Sequence, residues 1–292
     1  VRKPEWLRFR LPAGPEFIRV NQVLRKYNLN TVCSSARCPN LAECWNRGTA
    51  TVLLLGNTCT RHCRFCAVTT GNPHGQVDNS EPERVADAIL ELGLKYVVLT
   101  SVDRDDLPDL GAGIFTRTVQ LLKKSNPGIA VEVLVPDFQG KRELIQQVLD
   151  AGPDVFAHNL ETVERLTPAV RDRRADYRLS LSALQLAKRL APAIRTKSGL
   201  MVGLGETEEE VIQTLTDLKS AGCDIVTIGQ YLQPDRRCLP VARYYTREEL
   251  QKLSAHARTI GIPRTIAAPL VRSSYLAEEL LKTDINPVPP QI

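Results

Sequence analysis

Cys59-Thr60-Arg61-His62-Cys63-Arg64-Phe65-Cys66, directly after Gly56-Asn57-Thr58, decides how the rest of the chain is read. Three thiols in eight residues can ligate three irons of a cubane. Iron–sulfur clusters prefer four thiolates, so this spacing leaves one iron open to another ligand. Zinc is the main rival, but its sites usually draw on pairs of CxxC-like spacings. His62 beside Cys63 points away from its neighbour's site in either regular backbone geometry. The bland alternative is a set of reduced core thiols with no metal. The apolar run 51–55 just upstream reads as a buried strand, so the loop stands at a strand's C-terminal edge, where a barrel enzyme does its chemistry.

Working outward, runs rich in Val, Ile and Leu at residues 51–55, 96–100, 129–135, 154–158, 196–202 and 224–228 predict six buried parallel strands. The amphipathic segments 83–92, 115–124, 142–149, 179–190, 208–220 and 247–260 predict helices between and after them, several with acidic first turns and a Gly just past the end. Six strand–helix units in series predict an α/β chain with a parallel sheet, covered by helices and curved into a partial or complete barrel. Residues 1–50, with Pro4, Pro12 and Pro15, lack this rhythm and predict an N-terminal extension to a barrel of residues 51–262. Residues 263–292 are a C-terminal extension, and its Pro287-Val288-Pro289-Pro290 tail predicts loose chain. No fixed-period repeat or low-complexity tract interrupts the pattern.

Composition narrows the class. No apolar run approaches the roughly 20 residues needed to span a bilayer, so no membrane partner is expected. The chain opens Val1-Arg2-Lys3-Pro4 with no apolar segment behind it, which predicts no secretory signal; the missing initiator Met suggests a trimmed start. The net charge of +5 comes from arginines scattered without dense blocks or interleaved aromatics, which argues against a nucleic-acid groove and for an acidic partner, although a merely solvated basic surface fits as well. Of eight cysteines, six fall between Cys33 and Cys66. A secreted disulfide framework belongs to a short, loop-rich chain with a signal peptide, so metal ligation in a reducing compartment is expected instead.

A second constellation precedes the first: Cys33, Cys38 and Cys44, spaced CxxxxCxxxxxC within the extension. A disulfide pairing leaves one cysteine over and a zinc site needs a fourth ligand from elsewhere, whereas three more thiolates suit a second cluster. Pro39 and Asn40 favour a turn after Cys38 that would fold the segment around a compact metal core.

The CxxxCx-aromatic-C loop, with Phe65 as its aromatic, resembles that of the radical S-adenosylmethionine superfamily. The pairing of CxxxxCxxxxxC with CxxxCxxC, together with Arg272-Ser273-Ser274-Tyr275, resembles the lipoyl synthase family over nearly the whole chain. Other matching stretches are Thr100-Ser101-Val102-Asp103, His158-Asn159-Leu160-Glu161 and Lys197 to Glu206. The resemblance implies a partial (β/α)6 barrel of the radical SAM type. It implies a [4Fe–4S] cluster on Cys59, Cys63 and Cys66 whose open iron binds S-adenosylmethionine and cleaves it to a 5′-deoxyadenosyl radical. It also implies a second, auxiliary [4Fe–4S] cluster on Cys33, Cys38 and Cys44, with Ser274, or Ser273 as the close alternative, as fourth ligand. The implied activity is that of a sulfurtransferase inserting two sulfurs at carbons 6 and 8 of a protein-bound octanoyl-lysine. Implied partners are octanoylated lipoyl carriers, namely the lipoyl domain of 2-oxoacid dehydrogenase acyltransferases and the glycine cleavage carrier protein. An electron donor such as ferredoxin or flavodoxin is implied as well. The implied setting is cytoplasmic, or an organelle matrix if a transit peptide has been removed. One departure is visible: the family usually has Asp-Gly-Gly-Ala where this chain has Asp109-Leu110-Gly111-Ala112.

By the same resemblance Asn159 and Glu161, at the predicted edge of the fourth strand, contact S-adenosylmethionine, with helix capping as the plainer possibility. Arg195 and Glu206 are further candidates for that ligand. Thr100, Asp103, Arg104 and Asp105 stand at the second strand's edge, where they could order the pocket. His62, His74, His158 and His256 show no metal spacing, and Cys223 and Cys238 read as plain thiols. A methylthiotransferase with two clusters is the rival enzyme, set apart by its lack of the CxxxxCxxxxxC and RSSY combination. An iron–sulfur electron carrier is the non-enzyme rival, and it would not bind S-adenosylmethionine.

Overall fold

Pro15 presets the first helical φ of α1 (Pro15–Lys26), and Val20, Val23 and Leu24 recur at helical spacing to give it a buried face. That helix opens the continuous part of a computed structural model in which residues 4, 7, 14–47 and 51–282 are described. The predicted loose tail of residues 284–292 and the chain's first three residues lie outside the described residues. The chain forms two compact units. One holds the described residues between 9 and 62 and between 67 and 156; the other holds residues 63–66 and 157–282, with Pro4 and Leu7.

In the first unit α1 is followed by β1 (Asn30–Thr31), the short helices α2 (Val32–Ser35) and α3 (Leu41–Asn46), and β2 (Thr51–Leu54). Next come the two-residue strands β3 (Thr58–Cys59) and β4 (Thr69–Thr70), then α4 (Glu81–Leu92), β5 (Tyr96–Ser101), α5 (Ala112–Ser125), β6 (Ala130–Leu134) and α6 (Arg142–Asp150). β2, β5 and β6 pair in parallel, and β1 adds to β2 antiparallel, with Thr31 opposite Val52. Every residue of β2 is buried, as expected of a parallel strand covered on both faces. Val85, Ile89, Phe115, Val119, Ile145 and Val148 form the apolar faces of the covering helices.

The chain passes into the second unit within β7 (Val155–Ala157). There α7 (Thr167–Val170), α8 (Tyr177–Leu190), β8 (Arg195–Val202), α9 (Glu208–Ser220), β9 (Ile225–Gln230), α10 (Arg247–Thr259), β10 (Arg264–Ala268) and α11 (Ala277–Lys282) follow. β8, β9 and β10 are parallel neighbours. Leu200, Val226, Ile228, Leu184, Leu215 and Leu253 share one core between strands and helices. Capping boxes, Thr207 with Glu210 and Thr246 with Glu249, start α9 and α10 and are each worth about 1 kcal/mol.

All six predicted strands and all six predicted helices occur, so the α/β class with a mostly parallel sheet stands. The additional parallel strand β10 was not expected, because Arg264-Thr265-Ile266-Ala267-Ala268 holds a single large aliphatic residue and gives little apolar signal. Among the described residues no helix is long and apolar enough to cross a membrane.

The Asp109–Ala112 departure is structural. Leu110 stands at φ +53° and Gly111 at +88°, so two successive residues occupy the left-handed region. A leucine there costs about 1–2 kcal/mol, comparable with the roughly 1.5–3 kcal/mol gained by burying its side chain, which is 4% exposed. The Asp109 carboxylate fixes the turn by accepting the Gly111 and Gly113 amides, both at 3.0 Å.

Candidate functional site

Behind β2 the backbone turns through Leu55 (φ +65°) and Gly56 (φ +84°), and the Leu55 amide donates to the buried Glu81 carboxylate at 2.7 Å. Burial pushes the Glu81 carboxyl up, and the Leu55 and Gly56 amides hold it partly back. The turn delivers Thr58 and Cys59 into the small ladder with Thr69 and Thr70, where the Gly71 amide donates to the Cys59 carbonyl at 2.9 Å. Thr60 is then tied to the segment after β5: its amide donates to the Asp103 carbonyl at 3.0 Å and its hydroxyl to Asp105 at 2.8 Å.

Arg61, inside the cysteine motif, was not singled out from sequence and holds most of this half of the loop. It is 4% exposed and forks onto two carboxylates, Asp105 at 2.9 and 3.0 Å and Asp137 at 2.5 and 2.9 Å. Asp103 lies 3.4 Å from its Nε. Burial alone would raise Asp105, but the Arg61 guanidinium wins and holds its carboxyl down at about 2. The expected cluster of Asp103, Arg104 and Asp105 therefore divides. The two aspartates fix the cysteine loop, whereas Arg104 turns to Asp106 and to the Gln76 and Leu55 carbonyls. His62 sits against Thr70, and Thr100 donates to the Leu134 carbonyl.

In the second unit, residues 63–66 are held by backbone on both sides. The Arg64 amide donates to the Val170 carbonyl at 2.9 Å, and the Leu239 amide donates to the Arg64 carbonyl at 2.8 Å. The Cys63 sulfur accepts the Asp172 amide at 3.4 Å, and the buried Cys238 thiol donates to the Cys66 carbonyl at 3.4 Å. Cys238 is thus packed against the motif, which its place in an Arg-rich loop did not signal. Phe65 is half-buried.

Asn159 and Glu161 sit together after β7. Asn159 Nδ2 donates to Glu161 Oε1 at 3.0 Å, and Glu161, at φ +70°, bridges to β8 through the Gly199 carbonyl and Met201 amide. Burial pushes the Glu161 carboxyl up; Arg171, Asn159 and Arg272 pull the other way, which places Arg272 of the RSSY stretch in the same electrostatic neighbourhood. Asn159 Oδ1 and Arg171 Nε are both buried without a hydrogen-bond partner. A Cβ at position 199 would crowd Asn159 and Thr227, so Gly199 gives Asn159 its room. Glu206 has a local task, accepting the Gly203 amide at 2.5 Å and the Leu204 amide at 2.9 Å to shape the turn after β8. Arg195 is not brought to this group: it begins β8, at the strand's other end, and donates to the Leu281 carbonyl at 2.5 Å.

All eight cysteines are thiols rather than disulfides. Cys33 lies on α2, started by the Thr31 hydroxyl, which accepts the Ser34 amide; Cys38 donates its amide to the Cys33 carbonyl at 3.0 Å; Cys44 lies on α3. Burial and then the neighbouring Cys38 charge push the Cys33 thiol up to about 11, and burial, Cys33 and Cys38 raise Cys44 as well. The three sulfurs therefore share one electrostatic neighbourhood. Trp45 stacks on Phe17 at 5.0 Å and ties α3 to α1. Ser273 and Ser274 are half-buried between β10 and α11, and Tyr275 is buried. The bare Cα of Gly229 lets this segment approach β9, since a Cβ there would collide with the Val271 carbonyl. Among the described residues no three His, Cys, Asp or Glu side chains close on one ion. Sulfurs that each take a separate iron of a cubane stand further apart than ligands of a single zinc.

Comparison with known proteins adds to this geometry. The profile of the Radical SAM superfamily matches residues 53–218, and that of the N-terminal domain of lipoyl synthase of the Radical SAM family matches residues 1–38. The chain is similar to proteins named lipoyl synthase from Thermus thermophilus (53% identical, 95% of this chain and 86% of the relative), Pyrobaculum arsenaticum (54%, 95% and 94%) and Methanocella arvoryzae (52%, 95% and 94%). Among solved structures, its fold is similar to the FeFe-hydrogenase maturase HydG from Carboxydothermus hydrogenoformans. The TM-score is 0.60 at 14% identity, covering 92% of this chain and 69% of that one. Streptococcus suis SuiB bound to S-adenosylmethionine gives 0.55 at 11% identity, covering 84% and 53%.

Proposed function

Because the chain belongs to the lipoyl synthase family of radical S-adenosylmethionine enzymes, we propose how its residues divide the work of a sulfurtransferase acting on a protein-bound octanoyl chain. Its cofactors are two [4Fe–4S] clusters and S-adenosylmethionine, and bound together they supply a 5′-deoxyadenosyl radical and the sulfur atoms destined for carbons 6 and 8. Cys59, Cys63 and Cys66 would hold one cluster, and Cys33, Cys38 and Cys44 with Ser274 the other. The observation that carries this division is the local fold of the first set: Cys33 on α2 and Cys44 on α3 flank a turn in which the Cys38 amide donates back to the Cys33 carbonyl at 3.0 Å. One buried and two half-buried thiols in one electrostatic neighbourhood suit a cationic iron core, which offsets both burial and like charge.

The donors around Asn159 suit S-adenosylmethionine. Asn159 Oδ1 is left with an unused acceptor position and Arg171 Nε with an unused donor. A ribose hydroxyl satisfies the first and a carboxylate the second. Glu161, held by Asn159 and raised by burial, accepts from a hydroxyl or an ammonium group. Phe65 is the aromatic of the cluster loop and would line the cofactor there, and Glu206 keeps the turn after β8 in shape. Residues 1–50 act as the carrier of the auxiliary set, 51–262 as the barrel and 263–292 as the holder of Ser274. The lipoyl domain of 2-oxoacid dehydrogenase acyltransferases and the glycine cleavage carrier protein are the proposed substrates' carriers. Ferredoxin or flavodoxin is the proposed reductant, and a reducing cytoplasm or organelle matrix is the setting that suits so many thiols.

The test is anaerobic reconstitution, followed by mass spectrometry of an octanoyl-lysine peptide incubated with S-adenosylmethionine and dithionite. The peptide is expected to gain two sulfurs. Cys33→Ala, Cys38→Ala and Cys44→Ala are expected to make 5′-deoxyadenosine while inserting no sulfur. Ser274→Cys should assemble a cluster yet transfer sulfur poorly, because a thiolate lets go of iron less readily than a serine oxygen. Normal insertion by the Cys33→Ala protein would place the sulfur source elsewhere, and an undiminished rate in Ser274→Cys would remove the role given to the oxygen.

A further inference from the structure

Three segments of the second unit hydrogen-bond to one another around residues 63–66: the loop itself, the stretch after α7, and the stretch after β9. The links are Arg64 amide to Val170 carbonyl, Asp172 amide to Cys63 sulfur, Leu239 amide to Arg64 carbonyl and Cys238 thiol to Cys66 carbonyl. The stretch after β9 is braced in turn, because the Tyr231 hydroxyl donates to the Leu239 carbonyl and Gln233 to that of Cys238. These segments carry Arg64, Arg173, Arg174, Arg236 and Arg237, all exposed. Of their acids, Asp172 and Asp235 are engaged by Arg174 and Arg237, and Asp176 caps α8 by accepting the Leu179 amide. Five exposed arginines against these three aspartates leave a net positive charge on one rigidly tied frame. Arg173 and Arg236 have no ion pair among the described residues.

Resting on the lipoyl synthase activity, we infer that this arginine frame beside Cys63 and Cys66 is where the carrier protein docks, through acidic residues flanking its octanoyl-lysine. A lysine side chain and an octanoyl chain have a fixed reach, so the carrier's surface must settle close to the cysteine loop before a carbon of the chain arrives there. Exposed guanidinium groups on braced backbone steer and orient a carboxylate-rich surface without immobilising new chain. The +5 charge of the whole protein acts in the same sense at longer range.

The test uses the reconstituted holoenzyme, dithionite as reductant, and two fluorescent octanoyl-lysine peptides of equal length, one flanked by Asp and Glu, the other by Asn and Gln. Binding is followed by anisotropy and turnover by mass spectrometry. The acidic peptide is expected to bind about tenfold more tightly at low salt, with the preference shrinking as salt rises. The Arg173→Glu/Arg236→Glu/Arg237→Glu protein should lose that preference through KM, with turnover of the neutral peptide and its melting temperature unchanged. Equal binding of the two peptides by the unaltered enzyme would overturn the docking surface, as would a preference that survives in the triple variant. So would a salt and variant sensitivity seen only when a protein electron donor replaces dithionite. Acid-selective binding without any sulfur gain would leave the surface standing and count against the activity instead.

Discussion

Replacing Cys59, Cys63 and Cys66 together by Ala is expected to abolish cleavage of S-adenosylmethionine while leaving about half of the iron and sulfide of the loaded protein. The expectation follows from the separateness of the two cysteine sets. Cys33, Cys38 and Cys44 are held by α2, the turn after it and α3, whereas Cys59 is held by the β3–β4 ladder and by Thr60 and Arg61. Iron and sulfide analysis, with 5′-deoxyadenosine quantified by chromatography, reads both outcomes at once. Iron falling to zero would mean that the two sites load as one, and surviving cleavage would remove Cys59, Cys63 and Cys66 from the chemistry.

The second large effect belongs to Arg61. Arg61→Met should lower the stability of the metal-free protein by about 3–5 kcal/mol, because two forked pairs are broken and the carboxylates of Asp105 and Asp137 are left buried without a counter-charge. Against a total of about 5–15 kcal/mol for an ordinary domain, that is a severe loss. Arg61→Lys should recover part of it, as an ammonium keeps the charge but not the two planar forks. The acid side gives an independent sign. Asp105 is ionised down to about 2 in the fold against 3.8 ordinarily, so its pairing contributes fully above about pH 4 and is lost as the pH falls through about 2. Chemical denaturation at pH 7 and pH 2 should therefore show a wide gap between wild type and Arg61→Met at the first and a narrower one at the second. Equal stability of the two proteins at pH 7 would show that the clamp contributes nothing.

Sequence spacing exposed the sheet where strands were long and aliphatic, as in residues 96–100 and 129–135, and lost it at β10, where Thr and Ala replace the large residues. The cysteines were legible because thiol spacing is chemistry written along the chain. Arg61 was not, although it stands within the motif, since its partners Asp105 and Asp137 lie 44 and 76 residues away and only folding brings them together. Arg171 was hidden for the same reason: a lone arginine among Arg-rich chain gives no hint that its Nε is buried and unsatisfied. Asn159 and Glu161 were expected from the resemblance together with their place after a strand, and the structure adds what the letters do not carry, a left-handed glutamate stitched to β8. Arg195 followed from resemblance alone and sits at the other end of its strand.

The stack of Trp45 on Phe17 has a consequence for how often the enzyme can work. If Cys33, Cys38 and Cys44 hold the auxiliary cluster as proposed and its sulfur is spent in each catalytic cycle, the polypeptide must outlive its own cargo. With α3 pinned to α1 by aromatic rings, and with Thr31 laddered to Val52 and Cys38 bonded back to Cys33, the emptied cradle keeps its form by contacts that contain no iron. Recharging is then a matter of delivery, set by the supply of iron and sulfide, and a spent molecule waits as a vessel to be refilled rather than as a chain to be folded anew.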